Sequence, residues 1–331
     1  MIMGTGNFGS RFGIALAFAV VALVVAAVAP AQTYPSRPVE FIVHTSPGGG
    51  TDVFARAVAE ILTREKMFPQ PVNVFNRPGG GGTLAFTYVK GKRGDPHTVL
   101  AVATGSFLAA ASRPDLELGL DNYTPLAFFA QDPQGVIVPA DSKYASFKDL
   151  INAARREPNS IVCSITSAGG TGRLFLYLIE RETGTRFKFV SFKSGADAVL
   201  AVLGGHVPFT TENVSEAWAH IEAKTLRVLA VSTHKRLPRL PDVPTLAELG
   251  YPITVGTGRG FAMPAGVPKE AAAIMEATLQ RVHRSAAWKE HSSRNHYEDS
   301  YMGSAEFARY LARRRVEMQD FLVSIGLGQK P

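Results

Sequence analysis

Short apolar runs rich in β-branched residues alternate with glycine- or hydroxyl-rich turns. These lead into stretches whose apolar positions recur at helical spacing, a pattern that predicts repeated strand–turn–helix units. The first unit is a strand from Val39 to Val43, a turn from His44 to Asp52, and a helix with Phe54, Val58, Ile61 and Leu62 on one face. Thr51 or Asp52 is expected to cap that helix. A second unit runs from Val72 to Phe75 through Asn76-Arg77-Pro78 and Gly79 to Gly82 into a helix, and a third from Thr98 to Ala103 into Thr104-Gly105-Ser106. Further along, Ser160 to Thr166 leads through Ser167-Ala168-Gly169-Gly170-Thr171-Gly172 to a helix starting near Arg173. Phe187 to Phe192 leads through Lys193-Ser194-Gly195 to a helix closed by Gly204-Gly205. Leu226 to Ser232 reads as a strand, and the proline-punctuated Leu237 to Thr245 as a surface connection into a short helix. Lys269 to Arg284 and Ser304 to Ser324 read as two longer helices. Alternation of this kind predicts α/β architecture.

The N-terminus breaks the pattern. Beyond Arg11, the sixteen residues from Gly13 to Val28 carry no charge, and Ala29-Pro30-Ala31 places small residues at the end of the run. A membrane span needs roughly 20 apolar residues, so residues 1–31 are expected to be a signal peptide cut after Ala31, which sends the product to the periplasm. The remaining length, about 300 residues, suits two domains rather than one core. Cys163 is the one cysteine of the chain, which excludes an intramolecular disulfide and a lipid-bearing cysteine at the cleavage site. The formal net charge of +7 falls by one, to +6, with Arg11 removed. That excess attracts anions but is too small to mark a nucleic-acid binder.

The turns carry the candidate chemistry. In a doubly wound sheet they bring helix N-termini, with their unpaired N–H groups, to one crevice at the carboxyl ends of the strands, where an anion is favoured. One helix end contributes at most about 2 kcal/mol, whereas micromolar binding needs about 8 kcal/mol, so several must converge. No turn has the glycine-lysine-serine/threonine ending of a P-loop, and Gly256-Thr257-Gly258-Arg259-Gly260 lacks the spacing of a dinucleotide fingerprint. Thr104-Gly105-Ser106-Phe107-Leu108 lacks the second glycine of a nucleophile elbow. The histidines are scattered, with His291 and His296 off metal spacing and read as surface residues, while His44 on the first turn is open to packing or ligand contact. No catalytic residue, metal or cofactor is expected.

The ordered motifs resemble the periplasmic solute receptors of tripartite tricarboxylate transporters, the Bug-type receptors. They are Tyr34-Pro35-Ser36-Arg37-Pro38, Ser46 to Asp52, Asn76 to Gly82 and Gly204-Gly205-His206-Val207. Leu226 to Val231, Leu240-Pro241-Asp242-Val243-Pro244-Thr245 and Pro264-Ala265-Gly266-Val267-Pro268 complete the series. The resemblance implies a periplasmic-binding-protein (type II) fold, two Rossmann-like lobes with a ligand cleft between them. Lobe one is assigned residues 34–134 plus 257–331, and lobe two residues 135–256.

It further implies that one ligand carboxylate is pinched, partly through water, between Thr45 to Asp52 and Ser167 to Thr171. The N–H groups of Gly49, Gly50, Gly169 and Gly170 are the implied donors, with the hydroxyls of Thr45, Ser46, Ser167 and Thr171 and the neighbouring Asp52. The far end of the ligand is implied to meet Thr104 and Ser106 from lobe one and Lys193, Ser194 and Ala196 from lobe two, with Asn213, beside Glu212, at the pocket edge. Arg259 stands where many relatives carry tryptophan, and its guanidinium can either grip a ligand carboxylate bidentately or pair across the lobes. Gly172-Arg173-Leu174-Phe175 lacks a histidine common in relatives, which changes the far side of the pocket. The implied activity is noncovalent capture of a di-, tricarboxylate or aromatic acid by a monomeric receptor, not an enzyme, that serves integral membrane subunits of the transporter. The alternative is an orphan receptor that signals to a membrane sensor.

Overall fold

The structure, a computed structural model, describes Met1 and residues 34–328. The expected signal peptide, residues 1–31, lies outside the described residues beyond Met1. The chain opens with β1 (Val39–Val43), α1 (Gly50–Arg64), β2 (Val72–Asn76), α2 (Thr83–Lys90), β3 (Thr98–Ala103), α3 (Thr104–Ala111) and β4 (Tyr123–Pro133). It continues with β5 (Gly135–Pro139), α4 (Phe147–Arg156), β6 (Val162–Ile165), α5 (Thr171–Thr183), β7 (Lys188–Ser191) and α6 (Gly195–Leu203). Next are β8 (Phe209–Thr210), α7 (Val214–Glu222) and β9 (Leu226–Val231). It closes with β10 (Gly256–Pro264), α8 (Lys269–Arg284), α9 (Ala286–Arg294), β11 (Glu298–Gly303) and α10 (Ser304–Ser324).

These strands form two sheets, one of six strands ordered β11-β4-β10-β3-β1-β2 and one of five ordered β7-β6-β8-β5-β9. In the first sheet β1 runs parallel to β2 and β3, while β10 is antiparallel to β3 and β4. Period-two alternation splits its side chains between two cores. Phe41, Phe129 and Phe261 join Phe54 and Trp288 on one face, and Ile42, Phe128 and Ala262 join Phe107, Phe307 and Leu311 on the other. The second sheet divides in the same way, with Val136 and Val138 on one side and Ile137 on the other.

The chain crosses between sheets twice. Gln134 alone separates β4 from β5, and residues 232–255 connect β9 to β10. The two crossings touch: the Gln134 N–H donates to Ser232 Oγ at 3.1 Å, that hydroxyl donates to Val255 O at 2.5 Å, and Gln134 Nε2 donates to Thr257 Oγ1 at 2.9 Å. The two crossing segments thus lie side by side and are hydrogen-bonded to each other.

Several expectations change. The segment after Thr245 forms turns rather than a short helix, with the Leu249 N–H bonded to the carbonyls of Thr245 and Leu246. Helix α1 is capped by the backbone of Gly49, and Asp52 instead accepts the Gly48 N–H at 2.9 Å. His296 is buried, its ring 4.1 Å from that of Trp218 in α7.

Candidate functional site

Helix starts from both sheets face one another across the gap. α1 and α3 follow the carboxyl ends of β1 and β3, while α5, α6 and α7 follow β6, β7 and β8. The approach is close. A Cβ on Gly105, in the first turn of α3, would stand 2.6 Å from the Thr171 backbone nitrogen that starts α5, so only glycine permits the contact. Ser194, whose hydroxyl caps α6 by accepting the Asp197 N–H at 3.1 Å, packs on Gly49 at the start of α1.

Between the lobes lies a cleft of about 890 Å³, within the size range of small-molecule sites. The six-stranded side contributes His44, Gly79 to Gly82 and Ser106. The other side contributes Thr166, Ser167, Ala168, Phe192, Lys193 and Leu200. The cleft narrows past His44, Ser106 and Thr166, which it shares with a second cavity of about 30 Å³. That volume holds about one water. Around it stand Thr45, Gly170, Thr171, Asn213 and Arg259, together with Glu212 and Glu216.

Arg259 is 2 % exposed and committed to protein partners. Its Nη2 meets Asp132 Oδ2 at 2.5 Å and lies 3.5 Å from Glu216 Oε1, and its Nη1 donates to Thr51 Oγ1 at 3.2 Å. Of the two roles open to this guanidinium, the geometry displays ion pairing: Asp132 lies on β4, next to β10 in the same sheet, and Glu216, in the first turn of α7, reaches it from the other lobe. Asn213 Nδ2 donates to the Asp132 carbonyl at 2.8 Å and Ser215 Oγ to Asp132 Oδ2 at 2.8 Å, which ties β4 and α7 together.

Three buried carboxylates therefore surround one arginine. Burial pushes the Glu212 pKa upward, reinforced by the nearby charge of Glu216, although the Thr166 N–H and hydroxyl both donate to its Oε1, at 2.5 and 2.7 Å. Glu216 and Asp132 are raised for the same first reason, with Arg259 opposing. Burial, then the Arg259 charge, pushes His44 down to about 3, so its ring is neutral and its partnerless Nδ1 is free to accept or donate.

Of the residues singled out in the sequence, Ser106, Ser167 and Lys193 line the outer cleft, and Thr45, Gly170, Thr171, Asn213 and Arg259 the inner cavity. Gly49, Gly50 and Ser194 form the interlobe seam beside them, and the Ser46 carbonyl accepts the Gly49 N–H at 3.1 Å. These four line neither cavity, and nor do the remaining four. Asp52 is held by Arg56, Asn76 and Gly48, Thr104 Oγ1 accepts the Gly258 N–H, Gly169 packs on Ala109, and Ala196 lies within the first turn of α6. The sequence reading missed Thr166, Glu216, Phe192, Leu200 and the Asp132 partner of Arg259. Asp132 and Glu216 are 84 positions apart and meet only through the crossing of the chain.

Comparison with known proteins agrees with this geometry. The family description "Tripartite tricarboxylate transporter family receptor" matches residues 54–327. Protein BugT of Bordetella pertussis is 32% identical over 231 residues, covering 69% of this chain and 70% of its own. A solved Rhodopseudomonas palustris protein with adipate superposes with a TM-score of 0.81 at 26% identity, covering 88% of this chain and 98% of that one. MatC from the same organism, with bound malate, shares the fold at a TM-score of 0.79 and 23% identity, covering 87% and 99% of the two chains. No helix among the described residues is long and apolar enough to cross a membrane. A two-lobed chain matched along most of its length in this way belongs to the tripartite tricarboxylate transporter family of solute receptors.

Proposed function

We propose that this protein is a periplasmic receptor that closes two lobes, residues 34–134 plus 257–331 and residues 135–256, around a small carboxylate. It then presents the closed form, as a monomer, to the membrane subunits of a tripartite tricarboxylate-type transporter. The observation that carries the reading is a cleft of about 890 Å³ between the lobes, lined by the first turns of α3 and α6, that leads to an inner cavity where the starts of α1, α5 and α7 converge. Each start favours negative charge by up to about 2 kcal/mol, and Lys193 adds a full positive charge at the rim. Ser106 and Ser167 supply hydroxyl donors on opposite walls, and Phe192 and Leu200 cover the body of a di-, tricarboxylate or aromatic acid. Solved relatives hold adipate and malate, which supports a carboxylate as cargo.

The test is a thermal-shift screen on protein refolded from denaturant, so that no cargo is carried over. Aliphatic and aromatic carboxylates, amino acids and neutral controls are compared. Native-state binding raises the melting temperature as RT ln(1 + [L]/Kd). A carboxylate hit that weakens about tenfold in Lys193→Ala is the expected result; stabilisation by neutral compounds alone would overturn the reading.

A further inference from the structure

Glu216 sits at the meeting point of both lobes. It occupies the first turn of α7, and its side chain is 7% exposed. The carboxylate lies against the first residues of α1 and α6, so close that a Cβ on Gly50 or on Gly195 would collide with its oxygens. Oε1 is 3.5 Å from Arg259 Nη2, and Oε2 has no hydrogen-bond partner at all. Two helix starts from opposite lobes and a guanidinium make an anion seat, and the carboxylate that fills it is the protein's own.

We infer that Glu216 is a specificity-determining residue: it occupies the inner anion seat from within, so the cargo is a monocarboxylate whose inner end is uncharged. This rests on the carboxylate-receptor reading and narrows its substrate class. The remaining space agrees. The inner cavity of about 30 Å³ has no room for a second carboxylate. Glu212 and Glu216 would also set two acidic groups against it, with the one arginine there already paired to Asp132. What the inner cavity does offer is His44 Nδ1 and Thr45 Oγ1, both buried and partnerless, which suit a single hydroxyl or carbonyl oxygen. The single carboxylate then stays in the outer cleft with Ser106, Ser167 and Lys193, and an apolar body lies on Phe192 and Leu200.

The experiment compares acids that differ by one carboxylate, hexanoate with adipate and benzoate with terephthalate, by calorimetric titration of the refolded wild-type chain, Glu216→Ser and Glu216→Gln. In the wild type the monoacid of at least one pair is expected to bind about tenfold or more tighter than its diacid. Glu216→Ser empties the seat between the helix starts and beside Arg259, and is expected to raise diacid affinity about tenfold while the monoacid changes less than about threefold. Glu216→Gln keeps the seat filled and preserves packing, and leaves the diacid weak. A wild-type chain that binds the diacids as tightly as the monoacids overturns the assignment alone, as does a Glu216→Ser chain that gains nothing. If none of the four acids binds any of the three proteins, the receptor reading itself falls and the assignment falls with it.

Discussion

Asp52 shows how far one residue's role departs from what its place in a motif suggests. It follows the glycines of the first turn, where a polar side chain reads as a ligand contact. In the fold its carboxylate accepts from Gly48 N–H at 2.9 Å, Arg56 Nε at 2.9 Å and Asn76 Nδ2 at 2.8 Å. Burial opposes its charge, but these donors more than offset that and hold its pKa below the usual range. Asp52 thus fixes the turn that leads into α1. Asp52→Ala is expected to cost about 2 kcal/mol, as the loss of a charged buried acceptor does, read as a lower urea midpoint with an unchanged slope. Cargo affinity in the folded fraction stays within about twofold. Arg259 is the complementary case: an unusual cation in a glycine-rich run was visible in the sequence, but its choice between cargo and protein was not, because Asp132 reaches it from the neighbouring strand β4 and Glu216 from α7 in the other lobe.

The elements divide along a similar line. β1 and β3 were legible as short, nearly continuous apolar runs, and α8 and α10 because their apolar positions recur at helical spacing. Strand β10 was not. Gly256, Gly258 and Gly260 punctuate it like a loop, yet they lie in the ladder between β3 and β4, where Phe128 and Phe307 press on the backbone and leave no room for a Cβ. Strand β11, Glu298 to Gly303, is polar and largely exposed, so no alternation marks it, and β4 carries prolines at both ends. The long helix α10 lies on the first sheet through Phe307, Leu311, Phe321 and Leu322, which share a core with Phe107 and Phe128. It is a structural part of that lobe although it comes last in sequence. Phe307→Ala is therefore expected to destabilise the protein by about 3–5 kcal/mol, the usual cost of removing a buried phenylalanine ring. Calorimetric melting checks this: a loss under about 1 kcal/mol would mean that α10 is not integral to the core.

At the scale of the whole molecule, the buried acidic cluster links closure to pH. Glu212, Glu216 and Asp132 all have pKa values raised by burial, with Arg259 opposing. A raised pKa means that the folded chain binds the proton more tightly than the unfolded chain does, so the stabilising contribution is complete below the unfolded value, about 4.3 for glutamate. It declines as pH rises toward the raised folded values. Carboxylates held low, such as Asp52, Asp95 and Asp299, act in the opposite direction, but only where acid protonates them, below the ordinary carboxylate range. Below about pH 7 the histidines whose pKa values burial lowers, His44, His97, His283, His291 and His296, oppose the cluster, because the unfolded chain takes up their protons. Between about pH 7 and 8 the interlobe cluster sets the sign, and the cargo-free protein is expected to melt higher at pH 7 than at pH 8. One kcal/mol corresponds to about 2–4 °C in a chain of this size, so a difference of several degrees is readable by calorimetry. Glu212→Gln removes a titrating group while it keeps an acceptor for the Thr166 N–H and hydroxyl, and is expected to flatten the dependence. A wild-type profile that is flat or rises toward pH 8 would mean that the three carboxylates are hydrated in solution, with the lobes standing open until cargo arrives.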